Sequence, residues 1–107
     1  MKSSNVTRVP HLIDQTERWR RQEHRGGVLW LTGLPASGKS TLAYGLESRL
    51  FDAGYEVYAF DSARLRQGLN ADLGYSREDR RENIRRAGEL AAVMARASLT
   101  LISFGVR

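Results

Sequence analysis

The tightest constraint on this chain lies in eight consecutive residues, Gly33-Leu-Pro-Ala-Ser-Gly-Lys-Ser40, which match G-x-x-x-x-G-K-[ST] at every fixed position. The flanks supply the context that pattern needs. Before it runs Val28-Leu-Trp-Leu-Thr32, apolar, β-prone and bounded by glycines, which predicts a central strand buried on both faces of a parallel sheet. After it, Leu42, Leu46 and Leu50 recur at helical spacing over 41–53, and Gly54 ends the segment. Residues 55–60, Tyr-Glu-Val-Tyr-Ala-Phe, predict a second strand. Strand, turn, helix and strand make a βαβ unit, whose right-handed crossover sets the two strands parallel in one sheet.

The turn itself dictates chemistry. Gly33 and Gly38 let the backbone curl so that N–H groups converge on phosphate oxygens at the positive end of the following helix. Lys39 supplies a mobile cation for β and γ phosphates, and the Ser40 hydroxyl is suited to ligate Mg²⁺ bridging the same oxygens. Gly33, Leu34, Pro35, Ala36, Ser37, Gly38, Lys39, Ser40 and Thr41 are therefore the expected nucleotide-binding set. No Asn-Lys-x-Asp guanine-reading segment occurs, which favours ATP over GTP.

Composition narrows the setting. A chain of 107 residues, 41% of them hydrophobic, suffices for one modest core. The absence of cysteine excludes disulfide scaffolds, zinc-thiolate sites and thiol nucleophiles. Neither an apolar leader nor a run of about 20 apolar residues is seen, so a soluble, cytoplasmic protein without a membrane partner is expected. The net charge of +5 is almost wholly arginine, Lys2 and Lys39 being the exceptions, which suits an anionic partner. The arginines alternate with acids and no aromatic platform interleaves them, which argues against nucleic acid. Trp19 and Trp30 are expected to be packing anchors, and His11 and His24 surface residues.

Residues 1–26 read as a polar helical extension, with a short charged helix near 14–25, and residues 27–107 as the domain proper. Beyond the second strand, 62–69 predicts a short helix, 70–76 a loop, and 77–97 a long helix that turns Ile84, Ala87, Leu90, Ala91 and Met94 inward. Leu99-Thr-Leu-Ile-Ser-Phe104 predicts a third strand. Asp61, Arg66 and the stretch 70–86 then surround the mouth where open α/β sheets bind ligands.

The segment 28–43 together with Asn70-Ala-Asp-Leu-Gly-Tyr-Ser-Arg-Glu-Asp-Arg-Arg-Glu-Asn-Ile-Arg-Arg86 closely resembles the adenylylsulfate kinases, over residues 27–103. These enzymes phosphorylate the ribose 3′-hydroxyl of adenosine 5′-phosphosulfate with MgATP. The resemblance implies a P-loop NTPase-like parallel α/β sheet flanked by helices. With three strands and no lid, the chain is expected to be an incomplete version of that fold, its front portion, with self-association through exposed sheet faces. It also implies an acceptor site of Arg66, Asn70, Tyr75 (usually Phe), Arg80, Asn83 and Ile84. Tyr75 would stack on adenine, Arg66 and Arg80 would neutralise the phosphosulfate, and Asn83 would hold a polar edge.

Lys39, Asp61 and Ser103 are the implied catalytic set, Ser103 matching the serine often assigned in this family as a phosphorylated intermediate. One departure stands out. The family's Asp-Gly-Asp-x-x-Arg reads Asp61-Ser-Ala-Arg-Leu-Arg66 here, so Ala63 replaces a carboxylate that could accept a proton or organise Mg²⁺. The residues alone leave other readings open. Arg80, Arg81, Arg85 and Arg86 beside Glu78, Asp79 and Glu82 would also make a solvated, ion-paired helix surface. A catalytically impaired ATP-binding remnant or noncatalytic partner, and a kinase of another small metabolite, are the alternatives to adenylylsulfate phosphorylation.

Overall fold

The computed structural model describes residues 8–33 and 38–105, with residues 39, 104 and 105 described through their backbone alone. Seven elements follow in order: α1 (Gln15–Gln22), β1 (Gly27–Gly33), α2 (Lys39–Asp52), β2 (Val57–Asp61), α3 (Ser62–Gln67), α4 (Arg77–Ala95) and β3 (Leu99–Gly105). The strands form one parallel sheet in the order β1-β3-β2. The chain therefore crosses from β1 over α2 to the far side, then returns through α3 and α4 to insert β3 in the middle.

That order corrects one expectation. The strand at 28–32 is a margin of the described sheet, with Val28 42% and Leu29 48% exposed, while the doubly flanked strand is β3, whose Leu101 and Ile102 are fully buried. Strand alternation sorts the core into two faces. Trp30, Ile102 and Phe60 stand abreast and pack with Leu65, Ala87, Leu90, Ala91 and Met94 from α3 and α4. Leu29, Leu101 and Ala59 also stand abreast, on the opposite face. Truncating the central Ile102 to Ala would leave a cavity costing about 2–5 kcal/mol.

Local chemistry sets the boundaries. Asp14 caps α1 by accepting from the Glu17 amide at 2.8 Å, and Ser76 caps α4 by accepting from the Asp79 amide at 3.1 Å. Asp61 ends β2 and caps α3, its Oδ1 accepting from the Arg64 amide at 2.9 Å. Gly26 threads under the end of α4 so closely that a Cβ there would overlap the Ala95 carbonyl oxygen, which only glycine avoids. α1 contributes no buried residue, Leu12 is fully exposed, and Trp19 is half-buried. His24 is also more than a surface residue. Its Nε2 accepts from the Glu56 amide at 2.9 Å while Nδ1 faces the Arg25 carbonyl at 2.8 Å, so the ring fastens the entry to β1 against the entry to β2.

In α4 the inward face differs by one position from the apolar pattern. Asn83 is 3% exposed and Ile84 is 47% exposed, with Ala87 and Ala91 continuing the buried stripe. Asn83 tolerates burial because its side-chain oxygen accepts from Asn70 Nδ2. No helix among the described residues is long and apolar enough to cross a membrane.

Candidate functional site

At the carboxyl ends of the strands, Leu31, Ser103 and Asp61 stand abreast across β1, β3 and β2. α2 starts at this rim. Its N-cap, Gly38, adopts φ +85°, a left-handed conformation that disfavours any residue with a Cβ, and it offers no side chain to the first-turn amides. Those amides therefore face outward as a donor cluster at the positive end of a 14-residue helix. Ser40, in that first turn and half-buried, places its Oγ 3.1 Å from Ser103 Oγ, and Ser103 is 1% exposed. Three of the residues singled out in the sequence are thus brought to one corner: Ser40, Asp61 and Ser103. Gly33 ends β1 beside them and Thr41 is exposed on α2. Leu34, Pro35, Ala36 and Ser37 lie outside the described residues, as does the side chain of Lys39.

Two residues at this corner carry no sequence motif. The Tyr44 hydroxyl accepts from Arg64 Nε at 3.1 Å, and the guanidinium lies 5.8 Å from the Tyr44 ring centroid. Burial, ahead of the opposing Arg64 hydrogen bond, pushes the Tyr44 phenol above its ordinary value. The spacing of Tyr44 one helical turn beyond Ser40 is the signal that could have flagged it.

The second cluster is the loop and helix from 66 to 86. Arg66 donates from Nη1 to the carbonyls of Gly74 at 3.1 Å and Leu73 at 3.4 Å, and its guanidinium stacks 4.2 Å from the centroid of Tyr75. Tyr75 is 75% exposed, leaving the ring available to a ligand. Asp79 accepts from the Gly74 amide at 2.7 Å. Arg86 reaches across to Asp72 at 2.7 Å, to Glu82 at 2.9 Å and to the Leu69 carbonyl at 3.2 Å. Arg85 pairs with Glu82 at 2.7 Å. The guanidinium of Arg85, then that of Arg86, holds the Glu82 carboxyl down to about 2, and Arg86 holds Asp72 below its usual range.

Of the six acceptor-side residues, Arg66 and Tyr75 are stacked together, and Arg80 and Ile84 are exposed on α4. Asn70 and Asn83 instead hold each other inside, with Asn70 Oδ1 buried and unpartnered among the described residues. The ion-paired surface anticipated for α4 is real for Arg85 and Arg86, whereas Arg80 makes no side-chain bond among the described residues.

A family model for adenylylsulphate kinase matches residues 25–106. The chain belongs to the adenylylsulfate kinase family. An adenylyl-sulfate kinase of Vibrio parahaemolyticus is 47% identical over 103 residues, covering 96% of this chain and 50% of that protein. One from Shewanella amazonensis is 52% identical over 93 residues, covering 87% and 47%. Among solved structures, the Mycobacterium tuberculosis APS kinase CysC in complex with AMPPNP and APS superposes with a TM-score of 0.70 at 43% identity, covering 74% of this chain and 46% of that one. The chain spans about half the length of the curated adenylylsulfate kinases it matches, and its three-stranded α/β sheet is that of P-loop NTPase-fold relatives.

Whether the corner suits Mg²⁺ can be judged from its donors. The described residues contain no group of three or more His, Cys, Asp or Glu able to hold a cation by themselves. Ser40 provides a hard oxygen beside outward-facing amides, and Mg²⁺ commonly takes one or two protein oxygens with phosphate oxygens and water completing its octahedron. The donor set fits a cation that arrives with a nucleotide.

Proposed function

We propose that this chain carries the nucleotide and acceptor corners of an adenylylsulfate kinase. The reaction moves the γ-phosphoryl group of ATP to the ribose 3′-hydroxyl of adenosine 5′-phosphosulfate, forming ADP and 3′-phosphoadenosine 5′-phosphosulfate. The observation that carries the reading is the convergence of Ser40, Asp61 and Ser103 at one strand rim, in a chain whose 66–86 segment sets an exposed tyrosine on an arginine stack. The M. tuberculosis relative, solved with AMPPNP and APS, supports the choice of substrates.

Phosphoryl transfer asks a protein mainly for positioning and charge neutralisation. Residues 33–41 would cradle the triphosphate through backbone amides, with Lys39 on its outer phosphates. Ser40 would hold Mg²⁺, which neutralises charge on the β and γ phosphates when bound. Asp61 would accept the proton of the attacking hydroxyl. On the acceptor side Tyr75 would stack on the base, and Arg80 with Arg66 would face the phosphosulfate. Asn70 and Asn83 would support the loop from within, and Ile84 would supply an apolar wall. Residues 27–107 would form the kinase unit, with 1–26 an extension to it, working in the cytoplasm where the donor nucleotide is held. A hexameric APS kinase from Thiobacillus denitrificans, 31% identical with a TM-score of 0.66 and covering 86% of this chain and 20% of that one, supports self-association, which sedimentation would measure.

A second reading has one observation in its favour. Ala63, exposed in the first turn of α3, offers no carboxylate, which suits a nucleotide-binding chain of low turnover. Calorimetry with ATP and with adenylylsulfate, followed by an ADP-release assay, separates the two. Binding of both with turnover is the expected result, and binding without turnover selects the noncatalytic reading. Failure to bind adenylylsulfate, with turnover of another acceptor, would end the assignment.

A further inference from the structure

Ser103 is the residue whose placement says most beyond this reading. It lies on the central strand, 1% exposed, with Asp61 and Leu31 beside it, and its hydroxyl meets that of Ser40 at 3.1 Å. A serine that is to take a phosphoryl group must present its oxygen in line with a phosphorus atom, with room for three further oxygens. This one is closed in by the sheet and directed at another hydroxyl.

We infer that Ser103 is a positioning residue for Ser40, not a phosphoryl acceptor. The inference rests on the proposed nucleotide site. A serine oxygen that donates a lone pair to a cation retains its proton, and coordination makes that O–H a stronger hydrogen-bond donor. The proton then needs an acceptor on the side away from the cation. Ser103 Oγ is the hydrogen-bond partner of Ser40 Oγ and is held on the central strand of the described sheet. It fixes the Ser40 rotamer so that the free lone pairs face the rim where the α2 amides emerge. The hydroxyl is neutral, so it supports the ligand without adding a charge beside Asp61.

The test uses the full chain and a nonhydrolysable ATP analogue, with affinity measured calorimetrically at graded Mg²⁺. Wild type is expected to bind more tightly as Mg²⁺ rises. Ser103→Ala should lower that Mg²⁺-dependent gain about fivefold, the worth of one ordinary hydrogen bond, and leave Mg²⁺-free affinity unchanged. Ser103→Cys, which keeps the volume and is a poor acceptor, should behave like Ser103→Ala, while Ser103→Thr should restore the gain. In a Ser40→Ala background, Ser103→Ala should have no further effect on the Mg²⁺ dependence. The inference fails if Ser103→Ala and Ser103→Cys keep the full gain, or if both weaken Mg²⁺-free binding equally. It also fails if wild type incubated with MgATP gains a phosphoryl mass that Ser103→Ala does not. A wild type that binds no nucleotide at any Mg²⁺ concentration overturns the proposed site and the inference with it, an outcome distinct from the failure of Ser103 alone.

Discussion

From 66 to 86 the chain is tied to itself many times over, through Arg66 on two carbonyls and Tyr75, Asp79 on the Gly74 amide, Arg86 on Asp72 and Glu82, and Asn70 on Asn83. At the strand rim the described residues contribute few side-chain contacts: Ser40 with Ser103, the cap from Asp61 to Arg64, and Arg64 with Tyr44. The contrast shows two ways of preparing for a charged ligand. On the proposed acceptor side the loop is fixed before anything binds, which would lower the ordering cost of binding. On the proposed phosphate side the first-turn amides of α2 have no side-chain cap, a set of donors that an anion would complete.

The largest expected effect tests the phosphate side. Lys39→Ala should lower ADP release by about 10²-fold or more, since it removes the only mobile cation of the turn. Unchanged turnover would move the triphosphate elsewhere. Next is Ala63→Asp, which restores the carboxylate absent from the acceptor corner. Turnover should rise tenfold or more, within the about 10²–10⁴-fold that a positioned base contributes, while calorimetric ATP affinity stays the same. No gain from an otherwise active chain would displace Asp61 from the catalytic corner.

Asn83→Ala probes the preformed side. It removes the side-chain partner of the buried Asn70 amide and leaves it only the longer bond to the Asn83 backbone carbonyl at 3.4 Å, and a loss of about 1–3 kcal/mol should appear in thermal unfolding as a fall of several degrees. A fall in turnover without a fall in Tm would make Asn83 a ligand contact instead of a strut. The smallest effect is a pH response. With Glu82 held from 4.5 down to about 2 by Arg85 and Arg86, its stabilisation is fully present above about pH 4.5 and is lost as pH falls toward 2. Glu82→Gln should flatten acid unfolding in that window, and added salt should shrink the difference because the pair is exposed.

Much of this arrangement is legible in the residues. The motif from Gly33 to Ser40 stands out because glycine, lysine and serine recur at its fixed positions, and the element order follows from periodicity. Strand order does not. Val28-Leu-Trp-Leu-Thr32 is apolar throughout, yet β3 inserts between β1 and β2, and no local pattern records which strand gains two neighbours. Ile84 and Asn83 exchange their expected places for a related reason. Hydrophobicity ranks single residues, whereas the burial of Asn83 depends on Asn70, 13 positions away. The Arg66–Tyr75 stack likewise depends on a loop closing, which the residue types alone do not record.

The carboxylate of Glu47 reaches from α2 to accept the Ala59 amide at 2.6 Å, in the middle of β2. A marginal strand whose central donor is already taken makes a poor template for a foreign strand. Among the described residues, one outward donor of β2 is thus already occupied, which disfavours the pairing of a further strand along that margin.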